Sequence, residues 1–216
     1  MPEYTQINQK MLSVALRNEE VFAKRGAMIA YTGSVDFAPS TSGSEGLSGM
    51  ARRTVTGERM TLMGARGTGE VFYAYDGKSV TMVSLSGETF YAESESLLAY
   101  DARLTSGTEF LGSSGVGGLV RGAATGSGLF TTTLTGYGEL AIVSDGGAIA
   151  LDVTPERPVS VDPQAYIGHR GRLRSDLVTD VSWKTLVGQS SGESYQLRFT
   201  GGGAVYIQAA ERGGNR

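Results

Sequence analysis

The sequence predicts a single-domain, all-β protein built from one unit that occurs three times. Three observations carry this expectation. Glycine fills 32 of 216 positions while proline fills only 5. Average glycine usage is roughly 7%. Glycine interleaved with Val, Thr, Tyr and Leu reads as short strands joined by tight turns. Apolar segments recur at a spacing of 69 residues without a gap. Short runs also alternate apolar and polar residues with period 2, the mark of a half-buried strand.

Along the chain, Val21-Phe22-Ala23 through Met28-Ile29-Ala30-Tyr31 is the first copy of an apolar pair of segments. Phe90-Tyr91-Ala92 through Leu97-Leu98-Ala99-Tyr100 is the second, and Val159-Ser160-Val161 through Tyr166-Ile167-Gly168-His169 the third. Val35, Leu104 and Leu173 hold the same register. Between these segments, Gly67-Thr68-Gly69-Glu70 matches Gly136-Tyr137-Gly138-Glu139, and Asp76-Gly77 matches Asp145-Gly146. Both Asp-Gly pairs are two-residue hairpin signals of the type I′ class, which needs positive φ. A shorter third copy runs from Gly192-Glu193-Ser194-Tyr195 to Gly201-Gly202-Gly203, where Tyr195, Leu197 and Phe199 alternate with Gln196 and Arg198. Repeats of this kind set the whole fold. The expected units are 12–56 completed by 190–211, then 57–125, then 126–189. The N- and C-terminal half-units should thus meet in one blade and close a pseudo-threefold prism or barrel, leaving few open sheet edges. Only Leu47 to Arg53 and Leu119 to Ala124 are expected to form short helical turns.

The totals exclude several classes. A net charge of −3 offers no footprint for a non-specific nucleic-acid binder. Cysteine is absent, so neither disulfides nor thiolate chemistry operates, in keeping with a reducing compartment. Met1-Pro2-Glu3-Tyr4 lacks the basic and apolar regions of a secretory signal. No run of eighteen apolar residues spans a membrane as a helix. The expected location is the cytoplasm.

Three segments carry a family resemblance. They are Gly57-Glu58-Arg59-Met60-Thr61-Leu62 with Gly67-Thr68-Gly69-Glu70-Val71, Gly128-Leu129-Phe130-Thr131 with Leu134-Thr135-Gly136-Tyr137-Gly138, and Gly192-Glu193-Ser194-Tyr195 with Phe199 to Gln208. They resemble the mitochondrial biogenesis family named for altered inheritance of mitochondria, over nearly the whole chain. The resemblance implies three fused units similar in fold to the tryptophan RNA-binding attenuator protein, and ring-like trimers. It implies no reaction, and a shared fold does not fix a function.

Each candidate for chemistry has a structural counter-reading. Gly188-Gln189-Ser190-Ser191-Gly192 matches the nucleophile-elbow pattern, but that elbow needs a following helix and a later histidine. The single histidine, His169, comes earlier, so a loop between strands is the better reading. Gly77-Lys78-Ser79 resembles the end of a phosphate loop, but Phe72 stands where the loop needs glycine. One histidine and no cysteine leave only a hard-cation oxygen site, and nothing matches a calcium loop. Glu70 and Glu139 occupy equivalent places and read as solvated strand residues. His169 stands where the other copies have Tyr31 and Tyr100, which makes it a packing ring. Arg170, Arg172 and Arg174 alternate along one strand face, suited to an intersubunit interface or to an anion. The segments Ser42 to Thr54 and Gly112 to Gly128 are long for hairpin loops. Leu47, Met50 and Arg52 in the first, and Val116, Leu119 and Arg121 in the second, are candidate partner-docking residues.

The expected function is a non-enzymatic, homo-oligomeric scaffold or interaction protein, a trimer, with no cofactor or bound metal. The alternative is a small-molecule or carbohydrate binding module with one site per repeat, lined by Tyr31, Tyr100 and Trp183. Nucleic acid is not an expected partner, while a protein partner and contact with a membrane surface both stay open.

Overall fold

The computed structural model describes residues 1–40, 62–111, 130–179 and 195–210. Twelve strands carry these residues: β1 (Glu3–Asn8), β2 (Met11–Lys24), β3 (Met28–Pro39), β4 (Leu62–Tyr73), β5 (Ser79–Glu93), β6 (Leu97–Asp101), β7 (Thr105–Phe110), β8 (Phe130–Ser144), β9 (Ala148–Val153), β10 (Val159–Val161), β11 (Tyr166–Thr179) and β12 (Tyr195–Gln208). One 3₁₀ turn, Ser94–Ser96, precedes β6. The all-β expectation holds.

All strands belong to one antiparallel sheet of twelve, in the order β10-β12-β11-β5-β8-β6-β2-β4-β3, with β1, β7 and β9 branching from it. That order contains a pattern. In each third of the chain, a late strand is flanked by the two elements that precede it. β4 lies between β2 and β3, β8 between β5 and β6 with β7, and β12 between β9 with β10 and β11. Two short ladders join successive groups. Val21, Phe22 and Ala23 pair with Asp101, Tyr100 and Ala99. Phe90, Tyr91 and Ala92 pair with Arg170, His169 and Gly168. These are the segments of the 69-residue repeat.

Two expectations are corrected here. The sheet is single and open, with β3 and β10 at its two ends, rather than a closed prism. And β12 pairs with β9, β10 and β11, so the chain ends do not share a blade through it. A repeat fixes a period but not where each unit begins, and antiparallel pairing places that start at β2. The Asp-Gly pairs are corrected as well. Asp76 (φ 48) and Gly77 (φ 64) do adopt the primed-turn conformation, closed by Lys78 N–H on the Tyr75 carbonyl at 2.9 Å. At the second site the positive pair is Gly146 (φ 78) and Gly147 (φ 95), one residue later. Neither turn makes a hairpin, because β4 does not pair with β5, nor β8 with β9.

The long strands change their inward phase partway. Leu12, Val14 and Leu16 of β2 are buried, then Val21 and Ala23. The switch from even to odd positions coincides with a bulge at Asn18, φ 66. In β5, Val83 and Leu85 give way to Phe90 and Ala92 across Gly87, φ 102. One extra residue shifts every later side chain by one position in the alternation, and Asn18 and Gly87 are 69 residues apart. Each strand thereby keeps both halves in one core cluster, Leu12 to Leu16 with Val21 and Ala23, and Val83 and Leu85 with Phe90 and Ala92. The resulting core falls into three clusters. One contains Leu12, Val14, Val71 and Tyr73 with Leu98 and Val143, and a second Phe90, Leu97, Tyr100 and Leu140 with Ile167 and Tyr206. The third contains Val161, Tyr166, Leu197, Phe199 and Val205, with nothing from β2, β3 or β4.

Candidate functional site

The arginine row lies on β11. Arg170, Arg172 and Arg174 stand opposite Ala204, Gly202 and Thr200 of β12. Small partners leave the guanidinium groups room, and Arg172 and Arg174 are exposed. Arg198 of β12, also exposed, extends the row and stands opposite Asp176. The sequence reading missed Arg198, since only the ladder brings positions 174 and 198 to one face. Carboxylates flank the row at both ends. Asp176 faces Arg198, and Glu88 pairs with Arg170 at 3.8 Å. An exposed pair at that distance contributes little, about 1 kcal/mol or less. Burial pushes the Tyr206 hydroxyl up, and nearby Arg170 pulls it partly back.

His169 is a packing residue. Its ring lies parallel to Tyr91, 4.3 Å between centroids, and also touches Phe199. Nδ1 is 2.7 Å from the Tyr166 hydroxyl, which is 3.3 Å from the Tyr91 carbonyl. With Nδ1–H donating to Tyr166 and Tyr166 donating to Tyr91, both donors are satisfied. Burial lowers the histidine pKa to about 4, so the ring is neutral at physiological pH. Glu70 and Glu139 each accept a hydrogen bond from a serine on the neighbouring strand, Ser13 and Ser84. Among the described residues, no group of three or more His, Asp or Glu could hold a metal ion, and no helix is long and apolar enough to cross a membrane.

The equivalent ring positions diverge in burial. Tyr100 and His169 are 1% and 4% exposed, whereas Tyr31 is 49% exposed. One pair of residues earlier, Leu98 and Ile167 are fully buried and Ile29 is 51% exposed. The cause is the pairing. Tyr100 is covered by Phe22 of β2, and His169 by Tyr91 of β5. The corresponding edge of β3 has no strand against it among the described ladders. Tyr31 instead leans its ring on Phe37 of its own strand, 5.0 Å away. Three equivalent pockets lined by Tyr31 and Tyr100 are therefore not present, because Tyr100 is inside the core.

A cleft of about 460 Å³ opens where the turns at 76–79 and 145–146 meet Lys10 and Ala209-Ala210. Lys78, from the segment resembling a phosphate loop, is engaged there with Asp145 at 3.1 Å. Lys10 and Asp76 complete a wall of mixed charge. The docking candidates Leu47, Met50, Arg52, Val116, Leu119 and Arg121, together with Trp183 and Ser190, lie outside the described residues.

The fold and this surface can now be set beside known proteins. The family model described as mitochondrial biogenesis AIM24 matches residues 4–210. The chain belongs to the AIM24 family. No curated protein matches it significantly. Among solved structures, a crystal structure of a Streptococcus pyogenes protein is similar, with a TM-score of 0.72 and 22% identity. The match covers 98% of this chain and 94% of that one. At that identity the likeness concerns the fold. Membership of the AIM24 family agrees with the resemblance read from the three repeated segments.

Proposed function

We propose that this AIM24-family protein is a non-enzymatic, homo-oligomeric scaffold or interaction protein, with the trimer implied by the family resemblance as its assembly. The observation that supports the reading is the uneven burial of equivalent residues. Ile29 and Tyr31 are half exposed at positions where both other copies place a buried side chain. An apolar edge repeated from the core of the same molecule is suited to association, and unpaired strand edges are templates for pairing. The arginine row supports a second contact surface, one that pairs with acidic groups.

Size-exclusion chromatography with light scattering tests the reading. A mass of three chains at micromolar concentration is the expected result, and a strict monomer would overturn it. A second reading, a ligand-binding module, is favoured by the cleft that brings Lys10 and Lys78 beside Asp76 and Asp145. It expects a thermal shift with a small zwitterionic or anionic ligand, lost in Lys78→Ala. No shift across a broad ligand panel would remove it.

A further inference from the structure

The two ladders between groups act as a template for a third that is absent among the described residues. In the first, Phe22 stands opposite Tyr100, and in the second Tyr91 stands opposite His169. Moving Tyr91 on by 69 residues gives Ser160 of β10, and the first copy of the His169 position is Tyr31 of β3. The next pair is therefore Ser160 with Tyr31, flanked by Val159 with Thr32 and Val161 with Ala30. These are the two ends of the sheet. Both ends expose apolar groups that their counterparts bury. Ile29 and Tyr31 do so on β3, and on β9, beside β10, Ile149 is 59% exposed where its counterpart Val80 is 4%. The core cluster behind β10 has no member from β2, β3 or β4. Among the described residues nothing bridges the gap, yet each edge carries the sequence that fits the other.

We infer that the β10 edge of one copy pairs antiparallel with the β3 edge of a second copy, Ser160 opposite Tyr31. This rests on the homo-oligomer reading and deepens it by naming the two surfaces. Such a junction uses different patches on the two partners, so each added copy still offers one β3 edge and one β10 edge. Association of this kind continues until a ring closes. The strand ladder supplies backbone hydrogen bonds that the open edges lack. The contact also covers Ile29 and Tyr31 as Leu98, Tyr100, Ile167 and His169 are covered within the chain.

The absence of cysteine in the chain gives a clean test. Directly opposite residues have Cα atoms about 4.5–5.5 Å apart, inside the range that a disulfide tolerates. Tagged Tyr31→Cys and untagged Ser160→Cys chains are co-expressed and mildly oxidised, with light scattering run on the unmodified protein. A covalent dimer of tagged with untagged chain is expected. It should be at least tenfold more abundant than with Glu156→Cys, in an exposed turn, replacing Ser160→Cys. An oligomer that yields no such excess overturns the edge assignment and leaves the oligomer reading standing. A monomer overturns both. In the double variant Tyr31→Cys/Ser160→Cys, a disulfide formed within one chain also overturns the proposal, since the seam then closes internally. Tyr31→Lys in the otherwise unmodified chain provides a check free of cross-linking. It should raise the concentration needed for assembly by about tenfold or more without lowering the unfolding temperature of the dissociated chain. An unchanged assembly midpoint counts against the edge.

Discussion

His169 loses the ability to take a proton when the chain folds. Its pKa falls from 6.5 to about 4 because burial among Tyr91, Tyr166 and Phe199 strips the imidazolium of water. Above pH 6.5 the ring is neutral in both states and adds no pH dependence. Between about 6.5 and 4 only the unfolded chain binds the proton, so stability declines as the pH falls through that window. The full effect is roughly 3 kcal/mol. Denaturant unfolding of wild type and His169→Phe at pH 7 and pH 4.5 checks this. The variant should lose distinctly less stability on acidification, and equal losses would show that His169 does not govern the window. A second residue-scale device sits at Asp101, whose carboxylate is fully buried. It receives the Arg103 guanidinium and the Arg103 backbone N–H. Arg103→Met should cost about 2 kcal/mol, because a buried carboxylate is left with its main partner removed. Thermal unfolding measures it. Asp101 carried no signal in the sequence, since its burial arises from a turn that the repeat does not predict.

That turn belongs to the scale of elements. In two of the three groups a glycine crossing lets long strands pass very close. A Cβ on Gly69 would lie 2.0 Å from the Thr32 carbonyl oxygen, and one on Gly203 would lie 2.2 Å from that of Arg170. Across from them, Gly33 (φ 81) and Gly171 (φ 97) adopt left-handed backbone. The middle group has Ala102 at that place, and its strand is interrupted there into β6 and β7. Gly203→Ala should therefore destabilise by about 2–3 kcal/mol through backbone clash. Gly77→Ala has open space around it and only a positive φ to overcome, which costs about 1 kcal/mol. Denaturant midpoints of the two variants compare clash with conformational strain, and equal losses would refute the crossing argument. The glycine matches across the repeats were legible in the sequence. Their pairing across strands was not, because Gly33 and Gly69 are joined only by the ladder.

At the scale of the molecule, the described residues form an open sheet whose two ends are copies of edges that are closed elsewhere in it. Mutations at the exposed seam should therefore separate assembly from folding. Tyr31→Lys is expected to leave the unfolding temperature of the isolated chain within a few degrees of wild type while weakening association. Tyr100→Lys, at the equivalent place inside the core, should prevent folding, since a buried unpaired charge costs several kcal/mol. Circular dichroism melts beside light scattering make the comparison. If Tyr31→Lys unfolded the chain as Tyr100→Lys does, the two positions would be equivalent in burial and the seam would be closed within one copy.

The strand class, the 69-residue period and the alternating runs were written in local composition, because turns, strands and inward-facing residues each depend on near neighbours. The apolar register of Val21, Phe90 and Val159 needed no more than that. Where a unit begins, which edges meet and which of three equivalent rings is buried depend on long-range pairing that no local pattern encodes. So the same sequence position holds a core tyrosine at Tyr100, a neutral histidine at His169 and a half-exposed ring at Tyr31. The bulges at Asn18 and Gly87 likewise switch the inward positions between even and odd numbers only where a partner strand defines the ladder. Arg170, Arg172 and Arg174 could be placed on one strand from spacing alone. Only the ladder with β12 added Arg198 to their face, opposite Asp176, and only the pairing of β11 with β5 set Glu88 against Arg170.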